Sequence, residues 1–189
     1  MVKDYQTIWA KWIGFLQSDL KIRKEVLESL HLDVRQGFTI IAKTSREELE
    51  HLLAQTEFFG SVREELETTL LYCVWCGYLL YLISEGIDPV ENNLVMRTQT
   101  NELGNMWMDA YESDKCASLL AEIDPLLSLL LQNISQSELN QLLIKSSGKV
   151  ALSYDHAVQI VSLLQWALCQ GFIFGLIEQK LFEQKEVEK

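Results

Sequence analysis

Val158 to Ile177 is a run of twenty residues without a formal charge. A helix of that length reaches across a bilayer core, so the stretch either spans a membrane or is enclosed by protein. On a helical wheel Asp155, Gln159, Ser162, Gln165 and Gln170 fall within a sector of roughly 140°. Such a polar stripe faces water. The glutamines are costly in hydrocarbon, and no Lys/Arg cluster flanks the run to orient an insertion. A largely buried C-terminal helix of a soluble fold is therefore expected, with a membrane span as the weaker alternative. Within it, Gly171-x-x-x-Gly175 has the spacing at which two helix backbones approach closely. From Gly171 to Ile177 the helix is apolar all round, so another part of the chain or a second copy must cover it. Gly171, Phe172, Phe174 and Gly175 are the residues that would make a homodimer contact.

The remaining sequence is read with the same period. Tyr5, Ile8, Trp9, Trp12, Ile13, Leu16 and Leu20 recur at steps of three and four and line one face of a first helix. A second helix is expected from about Asp19 toward Leu32. Phe38-Thr39-Ile40-Ile41 leans toward strand and is read as a loop after Gly37. Ser45-x-x-Glu48, Ser61-x-x-Glu64 and Ser135-x-x-Glu138 each have the form of a capping box and predict helix starts. Asp88-Pro89 and Asp124-Pro125 predict two more, with Asp as cap and Pro at the first helical position. Gly86 and Gly148 offer stops, and Ser153 caps the last helix. Two prolines and nine glycines leave few breaks in the chain. The fold class expected is all-α, a single domain over 1–189 of seven or eight helices, with a short charged tail at about 183–189. Ile87-Asp88-Pro89-Val90 and Ile123-Asp124-Pro125-Leu126 match at an offset of 36, as do Glu102-Leu103 and Glu138-Leu139. Shared capping grammar produces such pairs without a duplication.

Charge limits the partners. The net charge is −11, which repels nucleic acid and anionic lipid. Met1–Arg63 balances nine bases against nine acids, and Lys115–Lys189 carries six against eight. Glu64–Asp114 holds ten acids against Arg97. Glu64, Glu65, Glu67, Glu85, Asp88 and Glu91 are thus either a solvated surface or a docking face for a basic partner. Cys73, Cys76, Cys116 and Cys169 lie in apolar helical contexts rather than a disulfide framework, and the N-terminus has no export signal. A cytoplasmic location is expected.

Four constellations could carry chemistry. Cys73-x-x-Cys76 has redox spacing, but it sits inside an apolar helix rather than at a helix start, so small core residues are the better reading. Glu28-x-x-His31 and Glu48-x-x-His51 could face metals, as in carboxylate-bridged bundles. The first helix, however, supplies no inward glutamate to complete the set. Glu47-x-x-Glu50 and Glu64-x-x-Glu67 could hold magnesium as the paired carboxylates of all-α nucleotide pyrophosphatases do, yet first-turn acids also suit the helix dipole. Asp155-His156 has no evident nucleophile, and no phosphate-binding glycine loop is present. No cofactor is expected. The favoured function is a non-catalytic protein that acts by binding another protein, as an adaptor or an immunity- or antitoxin-like inhibitor. The alternative is a metal-dependent all-α enzyme built on the glutamates.

Overall fold

Apolar side chains recurring at helical spacing fold into eight α-helices, and no strand occurs among the described residues. The computed structural model describes residues 4–30, 32–53, 60–89, 102–121, 123, 125–145 and 153–187. The helices are α1 (Tyr5–Leu16), α2 (Leu20–Ser29), α3 (Leu32–Leu53), α4 (Gly60–Ser84), α5 (Leu103–Glu112), α6 (Lys115–Ala121), α7 (Pro125–Lys145) and α8 (Tyr154–Val187).

Local chemistry sets several ends. Asp4 accepts from the Gln6 and Thr7 amides to open α1, and its carboxyl is held below the usual range chiefly by the Thr7 hydroxyl. Asp19 does the same for α2 through Lys21 N–H at 2.9 Å. Pro125 is the first residue of α7, and Ser153 Oγ accepts from the His156 amide at 3.3 Å to open α8. At the end of α4, Gly86 adopts φ +78°. Its amide bonds Ile83 O, and that of Ile87 bonds Leu82 O, which is the paired closure of a Schellman motif.

α4 and α8 form the centre. Contacts such as Gly171 against Val74 and Gly175 against Tyr81 climb both helices together, so the two run in the same direction. A parallel pair cannot be joined by a tight turn, and the chain between them carries α5, α6 and α7. α7 packs on α8, α1 on α4, and α3 on α4, α5 and α8. Both central helices are long and apolar enough to cross a membrane, but 78% and 67% of their apolar windows are buried inside the fold. Aromatic rings fill the crossing: Phe38 meets Tyr78 at 5.2 Å and Phe174 at 5.7 Å, both edge-on.

Four expectations are corrected. Phe38-Thr39-Ile40-Ile41 is helical, within α3. Val34, Phe38, Ile41 and Ser45 are all buried at steps of four, three and four, and that burial outweighs the strand preference of Thr39, Ile40 and Ile41. Ser45 and Ser135 are not caps. Each lies mid-helix and donates to its own turn, Ser45 Oγ to Ala42 O and Ser135 Oγ to Leu131 O, both at 2.7 Å. The tail is not a separate segment, because α8 continues to Val187. Gln170 does not face water: it is 1% exposed and accepts from Trp107 Nε1 at 3.1 Å, although Asp155, Gln159 and Ser162 of the same stripe are exposed.

The offset of 36 does not reproduce local structure, since Leu103 opens α5 whereas Leu139 lies deep in α7. The helix expected after Asp88-Pro89 and the stop at Gly148 lie outside the described residues.

Candidate functional site

α3 and α4 pack side by side and leave a groove along their outer faces. One cavity of about 610 Å³ lies at its acidic end, walled by Thr39, Lys43, Glu47 and Glu50 of α3 and by Glu67, Thr68 and Leu71 of α4. The α3 residues fall at helical steps on one face, and so do those of α4. A second cavity of about 410 Å³ adjoins it and shares Thr39, Thr68 and Leu71. There α2 joins the wall, and Arg23, Lys24 and Arg35 outnumber the one glutamate, Glu28.

Arg63 organises the acidic end. Its Nη2 donates to Glu50 Oε1 at 2.7 Å, and its Nε lies 3.4 Å from Glu67 Oε1. One guanidinium thus bridges α3 and α4 with two charge-assisted bonds. Of the four glutamates expected to hold magnesium, Glu47, Glu50 and Glu67 do converge on this cavity. A cation paired with Glu50 and Glu67 is the protein's own Arg63. Glu64 is exposed one turn from Thr68, and Glu65 is exposed beside it.

Of the Glu-x-x-His pairs only part lies among the described side chains. Glu28 is exposed on α2, His31 lies outside the described residues, and nothing is described of the side chains of Glu48 and His51. Among the described residues, no group of three or more His, Cys, Asp or Glu is placed to hold a metal ion. Cys73 and Cys76 are completely buried inside α4, and desolvation pushes both thiols well above the usual range. A reactive pair needs a stabilised thiolate, and burial does the opposite.

The acidic docking face is divided. Glu64 and Glu85 lie near opposite ends of α4, about 30 Å apart at 1.5 Å per residue, and the helix from Cys73 to Ser84 between them is buried. Asp88 lines a separate cavity of about 350 Å³ beside Lys11 of α1. Glu91 lies outside the described residues.

The self-association surface is also used internally. Phe172 and Phe174 are buried at 5% and 0% exposure, and a Cβ on Gly171 would lie 1.9 Å from Val74 O. A Cβ on Gly175 would meet the Tyr81 ring at 2.0 Å. These four residues pack against other helices of their own chain, Gly171 and Gly175 directly on α4.

No family model, curated protein or solved structure matches the chain.

What the periodic pattern did not disclose is the basic cavity. Arg23 and Lys24 are separated from Arg35 by the α2–α3 junction, and Trp75 follows forty residues later in number than Arg35. Nothing in their spacing brings them together.

Proposed function

We propose that this protein is a non-catalytic binding protein, located in the cytoplasm, that takes a basic segment of another protein at the acidic end of the α3–α4 groove. The observation carrying this reading is the Arg63 bridge. Glu50 and Glu67 hold the Arg63 guanidinium at 2.7 and 3.4 Å, which supports a cationic group as what these carboxylates receive. Glu47, Glu64 and Glu65 extend the negative field around them, and a net charge of −11 steers a cationic partner toward the molecule. Four free cysteines suit a reducing compartment.

A synthetic Arg/Lys-rich peptide serves as the probe. Its capture should weaken as salt rises through the physiological range, where screening shortens to about 8 Å. Glu47→Lys and Glu64→Lys should each weaken capture, whereas Glu85→Lys, at the far end of α4, should leave it unchanged. Capture that ignores salt, or that all three variants reduce equally, defeats the reading.

A further inference from the structure

The basic cavity of about 410 Å³ stands apart from the rest of this acidic molecule. It lies where α2, α3 and α4 meet, and Arg23, Lys24 and Arg35 line it against one carboxylate, Glu28. Its walls are mainly apolar. Phe38 forms part of the lining at 2% exposure, and Leu27 and Leu71 remain 36% and 42% exposed there. Large apolar side chains left open to water beside a recess are surface that a ligand would cover.

Two polar groups in the lining strengthen the case. Trp75 is 4% exposed, and its indole N–H has no acceptor among the described residues. Arg23 Nε is likewise buried without an acceptor, although its Nη1 donates to Tyr72 Oη at 3.4 Å. Buried donors are costly to leave unpaired, and these two belong to residues that line the same recess.

We propose that this cavity binds a small amphiphilic carboxylate, with its apolar body against Leu27, Phe38 and Leu71 and its head among Arg23, Lys24 and Arg35. A volume of about 410 Å³ is that of a small-molecule site rather than of a helix-sized groove. An anionic amphiphile answers both the surplus of two positive charges over Glu28 and the apolar walls. A free phosphate dianion does not, because it has nothing to set against the apolar walls and loses more hydration on entry. The inference does not depend on the basic-partner reading: it concerns the opposite charge at the other end of the groove.

The test uses the full chain, ¹⁵N-labelled, titrated with decanoate, decanol and decyltrimethylammonium below their micelle concentrations, and with inorganic phosphate alone. Decanoate should bind about tenfold more tightly than decanol, the gain of one charge-assisted contact set. The cationic analogue should bind most weakly. The indole resonance of Trp75, assigned by its loss in Trp75→Phe, should move with decanoate. Lys24 and Arg35 are exposed, so the double variant Lys24→Gln/Arg35→Gln keeps the fold, checked by circular dichroism. In it decanoate should fall to the affinity of decanol, with decanol unchanged. Equal binding of the three amphiphiles, an unmoved Trp75 indole, full retention in the double variant, or displacement of decanoate by phosphate at similar concentration would each overturn the proposal.

Discussion

At Gly77 and Gly171 the backbones of α4 and α8 touch. A Cβ on Gly77 would lie 1.9 Å from Leu168 O, and one on Gly171 the same distance from Val74 O. Backbone cannot rotate away, so Gly77→Ala and Gly171→Ala should each destabilise by about 1–3 kcal/mol or more in chemical denaturation. Gly14 is the internal contrast: it lies in α1 with nothing within 4 Å of a built Cβ, and Gly14→Ala should stabilise by about 0.5–1 kcal/mol. Nearby, Tyr78 Oη donates to the buried Glu178 carboxylate at 2.7 Å, while Tyr81 Oη donates to the part-buried Gln179 at 2.9 Å. Tyr78→Phe should therefore cost about 1–3 kcal/mol, more than Tyr81→Phe, since a buried carboxylate loses a donor. The cysteines set an alkaline limit. Burial pushes Cys116 and Cys169 up to about 11 from an ordinary 9.0, and Cys73 and Cys76 move the same way. Above pH 9 the unfolded chain releases thiol protons that the folded chain retains, so stability is intact below that pH and falls as pH rises toward 11. Urea midpoints should drop between about pH 8 and about pH 10, and Cys116→Ala/Cys169→Ala should reduce the drop.

α3 is the element on which sequence and structure differ most, and its continuity is directly testable. Ser45 is 1% exposed in the middle of the helix. Ser45→Pro should cost about 3 kcal/mol or more by removing a helical bond and clashing with the preceding turn, an outcome a true cap position would escape. Ser153 is such a cap, and Ser153→Ala should cost about 1 kcal/mol. Between α3 and α4, the Arg63 pairs are partly solvated, with side chains 42%, 50% and 32% exposed. Arg63→Gln should change stability by less than about 1 kcal/mol. It should at the same time strengthen capture of a basic peptide, because one internal cation that competes for Glu50 and Glu67 is removed. Weaker capture in this variant would place the peptide elsewhere.

Taken whole, the molecule encloses its two most apolar helices in one core, so it should be recovered from detergent-free lysate in the supernatant after sedimentation of membranes. Recovery in the membrane pellet alone would contradict the proposed cytoplasmic location. How much of this could be read beforehand follows from where each signal resides. Period and local chemistry settle what lies within a turn or two of a residue. α1, α2, α4 and α8, the Ser153 cap, Pro125 at a helix start and the stop at Gly86 were legible for that reason. A Ser-x-x-Glu pattern marks a start only where the preceding chain is not already helical, so Ser45 and Ser135 misled. Phe38–Ile41 did so because burial against Tyr78 and Phe174 exceeds a local strand preference. The acids Glu47, Glu50 and Glu67 were legible as residues, but their bridging by Arg63 was not. By itself the sequence determined an acidic, all-helical chain with one helix too apolar to stand alone. Only the tertiary structure decided that α4 covers Gly171–Ile177, that Gln170 is buried against Trp107, and that three cations meet beside Trp75. Contacts between residues far apart in number depend on how helices cross, and no repeat of three or four positions encodes a crossing.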